Sequence, residues 1–198
     1  MSYHRYITEA FVLGSEPSGE ASRRVVLLTR SCGLLYAHVQ GVRLGRSRLR
    51  PYLSTHGLFE ASLVRGRETW RLVGALPETD EDGVRRIVRP GELALLARLA
   101  VLLRRLVALD APDEMLFDRV AETVRFLAHE DLRADELPLV EAIGASRILF
   151  LLGYLDAGRP ETALAAQGGW DRSSLSTLAP VRAVLVSAIN EAIAASHL

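Results

Sequence analysis

Residues Val25–Gln40 read VVLLTRSCGLLYAHVQ, and the two halves of this stretch decide the fold. Val25-Val26-Leu27-Leu28 is a short apolar run that opens on β-branched residues, as expected of a strand covered on both faces. In the second half Leu35, Ala37 and Val39 alternate with Tyr36, His38 and Gln40. That period of two puts one face inward and leaves the other polar. Cys32, the single cysteine of the chain, sits between them as a small turn residue and excludes both an internal disulfide and a site built of several thiolates.

The same pattern recurs on either side. Tyr6 to Leu13, Phe59-Glu60-Ala61-Ser62-Leu63 and Thr69 to Ala75 supply three more strands, set apart by residues 14–19 and by the Arg65-Gly66-Arg67 turn. Five short strands in about 76 residues suit a small closed barrel, which removes exposed sheet edges. An oligonucleotide-binding (OB) barrel is the natural candidate, and an SH3-like barrel has a similar strand count that periodicity does not separate from it.

Beyond Leu76 the texture changes. PETDEDG reads as an acidic linker, over 77–90, and from Gly91 the apolar residues recur at three and four. Leu95, Leu96, Leu99, Leu102, Leu103 and Leu106 form so wide a stripe that this helix is expected at the centre of a bundle. Pro112 with acids beside it opens a second helix carrying Met115, Val120, Val124 and Leu127. Asp135 and Glu136 open a third through Leu155, and a fourth long helix is expected from Ser173, as its cap, to Ser196, with Pro180 as a kink or late start. The organisation expected is thus α+β with two domains: a five-stranded barrel over 1–76, a linker over 77–90, and an all-α domain over 91–198.

Composition narrows the function. The 198 residues carry 24 Arg and no Lys against 24 Asp and Glu, for zero net charge. Residues 1–76 nevertheless hold 11 Arg against 5 acids, a net of +6, and residues 77–198 a net of −6. No membrane span is expected, because arginines interrupt Leu93 to Leu109, and no secretory signal is expected at the N-terminus. No phosphate-binding glycine loop, nucleophile elbow or clustered metal ligands is present, so neither an enzyme, a metal site nor a cofactor is expected. Ser54 and His56 are read as polar strand-edge residues. Glu78, Asp80, Glu81 and Asp82 are read as a solvated charge run.

Nucleic-acid binding is the chemistry left standing. Arg43, Arg46, Arg48 and Arg50 crowd eight positions of the basic half, where guanidinium groups would neutralise phosphates and release counterions. Arg23, Arg24 and Arg30 extend the track if strand geometry places them on the same side. Exposed aromatics would stack on unpaired bases. Tyr36 has polar neighbours on its strand face and Tyr52 ends the arginine segment, so both are candidates, whereas Trp70 is read as core.

In order along the chain, Ala10-Phe11-Val12-Leu13, Gly19-Glu20-Ala21-Ser22-Arg23, Leu28-Thr29-Arg30, Gly33-Leu34-Leu35, the segment 41–53 and Leu58-Phe59-Glu60-Ala61 resemble the N-terminal domain of RecO, the bacterial recombination mediator family. Pro112 to Phe117 and Arg147 to Tyr154 (RILFLLGY) extend the likeness past the linker. The resemblance implies an OB barrel followed by a helical domain. It also implies a non-enzymatic, cytoplasmic, nucleoid-associated protein that binds single- and double-stranded DNA and anneals complementary strands. Its implied partners are RecR, in assisting RecA loading, and the acidic tail of single-strand DNA-binding protein. Arg104, Arg105 and Arg125, set among leucines, are the expected contacts for that tail. A RecO-like interaction adaptor with weak DNA affinity is the alternative. Many members carry a four-cysteine zinc site after the Leu-Gly-Tyr helix end, and the matching stretch here, DAGRPETALAAQGGWDRSS, has no cysteine.

Overall fold

A computed structural model describes residues 4–18, 22–41, 47–53, 56–67, 69–77, 89–156, 158 and 160–196. The strands expected from alternation form β1 (Arg5–Pro17), β2 (Arg23–Thr29), β3 (Gly33–Val39), β4 (Leu58–Arg65) and β5 (Trp70–Pro77). They close into a barrel in the order β1-β2-β3-β5-β4, with β3 and β5 parallel and the other pairs antiparallel. A short helix, α1 (Arg50–Leu53), stands between β3 and β4, and Leu49, Tyr52 and Leu53 pack into the barrel core. This is the OB architecture.

Register fixes which side chains point where. Ala10, Val12, Val25, Leu27, Leu35, Ala37, Phe59, Ala61, Leu63, Trp70 and Leu72 fill the interior. Val26, Leu28 and Leu34 point outward yet are only 1–2% exposed, as the unbroken apolar run predicts.

What covers that outer face includes a segment the sequence reading assigned to the helical domain. The chain divides into two compact units, and Ala108–Phe117 belongs with the barrel. Leu109 bridges Leu34 in parallel, and the Asp110 amide donates to the Leu34 carbonyl at 2.8 Å. The Asp110 carboxylate accepts from Trp70 Nε1 at 3.0 Å and lies 3.7 Å from the Arg65 guanidinium. Gly33, at φ +73°, is pressed so closely on Ala111 that a Cβ would stand 2.4 Å from its carbonyl oxygen. Asp110 itself holds a left-handed φ of 53°.

The other unit comprises Arg89–Val107 and Asp118–Leu198. Its helices are α2 (Pro90–Leu106), most of α3 (Glu114–His129), α4 (Leu137–Leu151), α5 (Pro160–Gln167), α6 (Arg172–Leu178) and α7 (Arg182–Ala195). The central helix is α4 rather than the leucine-rich α2: ten consecutive or near-consecutive residues of α4 are buried, while Val101 of α2 is 63% exposed. Small residues decide this, since Gly144 lets Leu99 of α2 approach to within 3.0 Å of where a Cβ would stand.

The fourth expected helix is two helices separated by a 3-10 turn at Ala179–Val181, where Pro180 withholds its donor. The cap is Asp171 rather than Ser173: its side chain accepts from the Ser174 amide at 2.7 Å. The run Arg172–Ala195 is long and apolar enough for a membrane span by length and composition alone, as a core helix also is, and makes no clear span. It is broken at Pro180, and Leu175, Leu178, Leu185, Ala188, Ile189 and Ala192 are buried in the bundle.

The cysteine-free stretch folds around one arginine. Arg147, 1% exposed on α4, donates to the carbonyls of Ala165 (3.2 Å), Gly169 (3.0 Å) and Gly168. Its guanidinium lies 4.3 Å from the Trp170 ring centroid, and Trp170 stacks on Phe126 at 4.7 Å. Burial, followed by the nearby Arg119 charge, lowers its pKa to about 10 against the opposing pull of Glu122, so it remains a cation at neutral pH.

Candidate nucleic-acid interface

On the outer side of β1, β2 and β3 the register aligns three rows. Phe11, Leu28 and Leu34 form a closed row at one end, 0–2% exposed. Gly14, Val26 and Tyr36 form the next, and Glu16, Arg24 and His38 form the last, beside the C-terminal end of β3. Strand geometry therefore gathers Arg24 and Tyr36 at the end of the barrel where β3 finishes.

The contacts there are specific. Arg24 donates to Glu16 Oε2 at 3.1 Å, with side-chain exposures of 57% and 49%. Its guanidinium lies 5.5 Å from the Tyr36 ring centroid, and Tyr36 is 38% exposed. Arg23, at the barrel mouth, donates to Ser15 Oγ at 3.1 Å. Arg48, just before α1, and Arg50, its first residue, are exposed. Arg43 and Arg46 lie outside the described residues, as do Ser54 and the acidic run Glu78, Asp80, Glu81 and Asp82.

Two candidates do not join the cluster. Arg30 sits at the opposite end of β2, roughly 20 Å along the strand; it donates to Glu9 at 2.6 Å and lies over the Phe117 ring at 5.4 Å. Tyr52 is half-buried with its ring 5.8 Å from that of Phe59, so α1 turns it toward the core. Trp70 is 7% exposed, as the core reading has it. His56 donates from Nδ1 to the Val12 carbonyl at 2.9 Å. Glu16 was missed, because an acidic residue near a strand end looks like ordinary surface until the register sets it opposite Arg24.

In the helical unit, α2, α4 and α7 enclose a groove of about 470 Å³ lined by Leu99, Leu102, Leu106, Ala142, Val186 and Ile189 among others. Arg98, Arg105 and Arg182 stand on its lining, so Arg105 is placed there, whereas Arg104 and Arg125 are not. Arg98 donates to both oxygens of Glu141 at 2.5 and 2.6 Å, bonds that raise its pKa further above the usual range.

A closed barrel with α1 between β3 and β4, carrying cations and an exposed tyrosine on the strand ends, defines an OB-type domain with a helical unit attached. Residues 1–74 match the family model described as Recombination protein O N terminal. DNA repair protein RecO of Gloeothece citriformis (strain PCC 7424) is 31% identical over 120 residues, 61% of this chain and 42% of that protein. The match thus spans less than half the length of that relative. The barrel is thus similar to the N-terminal domain of RecO, and the likeness to RecO expected from the sequence holds.

Proposed function

We propose that this chain is a non-enzymatic DNA-binding protein of recombinational repair that works through its barrel. The carrying observation is the cluster of Arg24 and His38 with Tyr36 in the adjoining row, at the barrel end that β3 reaches before the segment bearing Arg43, Arg46, Arg48 and Arg50. Guanidinium groups hold phosphates, and a tyrosine face accepts a base that has no partner. The likeness to a protein named for DNA repair supports the same reading.

The finer functions follow from the RecO resemblance: binding of single and double strands, annealing, and help with RecA loading together with RecR, in the cytoplasm at the nucleoid. Annealing needs only that bound strands be charge-neutralised and held open for pairing. The groove between α2, α4 and α7, apolar with Arg105 and Arg182 at its edge, suits the acidic and hydrophobic tail of single-strand DNA-binding protein. That groove also supports the second reading, an adaptor that binds partners with little DNA affinity.

Oligonucleotide titration over a range of salt tests the first reading. Four neutralised single-strand phosphates give a slope of log affinity against log salt of roughly −2.8, and an Arg46→Ala/Arg48→Ala variant binds more weakly with a shallower slope. Salt-insensitive binding, or a double variant equal to the parent, rejects it.

A further inference from the structure

The barrel's outer face on β2 and β3 is the surface on which OB domains usually stack several bases. Here most of it is closed, because Phe11, Leu28 and Leu34 are buried and Asp110 and Ala111 are pressed on β3 beside them. Among the outward positions of β2 and β3, Tyr36 is the exposed aromatic. The face thus has room for one stacked base.

That ring is already in use. Arg24 lies over it and is held there by Glu16 at 3.1 Å, a carboxylate oxygen placed as a phosphate oxygen would be. We propose that Glu16, Arg24 and Tyr36 form a single-base platform kept shut by an internal phosphate mimic. A strand phosphate displaces Glu16 and draws Arg24 onto itself, and the uncovered Tyr36 ring receives one unpaired base. This inference rests on the DNA-binding reading and adds to it a selectivity: the platform serves single strands, since a paired base is stacked in its duplex and cannot reach the ring. Both pair members are about half exposed, so exchanging one acceptor for another costs little.

Fluorescence anisotropy of the full chain with a labelled oligothymidylate and a duplex of equal length tests it. Tyr36→Ala weakens single-strand binding by roughly 5- to 100-fold and duplex binding by less than about twofold, while Tyr36→Phe keeps the stack and both affinities. Glu16→Gln tightens single-strand binding roughly two- to fivefold. Glu9→Gln, which removes the same charge at the far end of the strands, leaves it unchanged. Equal losses on single strand and duplex in Tyr36→Ala, or no gain in Glu16→Gln, overturns the platform while leaving the DNA-binding reading intact. A parent chain that binds neither oligonucleotide overturns that reading itself.

Discussion

The two units handle the same side chain in different ways. In the helical unit acids are plentiful, and arginines are pinned by carboxylates: Arg98 by both oxygens of Glu141, Arg89 by Glu92 and Asp131, and Arg172 by Glu130 and Glu136. In the barrel, with its 11 arginines and 5 acids up to Leu76, guanidinium groups that meet a carboxylate also lie over aromatic rings: Arg24, beside Glu16, on Tyr36, Arg30, beside Glu9, on Phe117, and Arg65, near Asp110, on Trp70. Arg147 is the exception that clarifies the rule, since it is a cation over an aromatic ring that is fully buried and bonded to carbonyls. A charge that stacks in water is exchangeable, and a charge that stacks out of water is structural.

The largest effect that would break this contrast lies at Arg147. Arg147→Met should cost about 3–5 kcal/mol, because it strands the buried carbonyls that the guanidinium now satisfies. Urea unfolding of the full chain measures this. Arg147→Lys should recover little, since an ammonium group lacks the planar fork that reaches three carbonyls. Stability equal to the parent would show that Arg147 is as dispensable as a surface arginine.

A smaller loss is expected on the barrel side. Gly33→Ala should cost about 2–3 kcal/mol, because the left-handed φ and the Ala111 carbonyl both exclude a Cβ. Its thermal midpoint should fall with that loss. An unchanged midpoint would mean that the 108–117 segment is not held to the barrel as tightly as these contacts require.

The smallest effect sharpens the helical side. Hydrogen bonds lower the carboxyl of Glu136, chiefly through the Arg133 amide, and that of Asp171, chiefly through the Ser173 hydroxyl, below their ordinary values of 4.5 and 3.8. Depressed carboxyls favour the folded state above those values and lose that contribution as acid protonates the folded groups. The thermal midpoint should therefore hold down to pH of about 4.5 and decline below it, with Asp171→Asn flattening the decline.

Much of this was legible in advance for one reason: a strand shows its inward face in every second residue, so Leu35-Ala37-Val39 and Phe59-Ala61-Leu63 announced the barrel. Pairing partners were not legible, which is why Glu16 was missed and Arg30 was grouped with residues at the other end of β2. Helix α5 escaped because PETALAAQ is short and built of small residues, without a stripe at three and four. The length of α2 as a leucine run suggested a centre, but close approach favours Gly144, Ala142 and Ala145 over bulk. The 108–117 segment joins the barrel through one parallel bridge and the side chain of Asp110, contacts that leave no period behind in the sequence.

That segment sets a schedule for synthesis. Phe117 follows Pro77 by 40 positions, so the barrel strands leave the ribosome well before their last covering piece does. At roughly 5–20 residues per second the wait is about 2–8 s, during which Leu34 lacks the segment that bridges it. A nascent chain stalled just after β5 would offer an apolar surface to a chaperone that a chain stalled well past Phe117 would not.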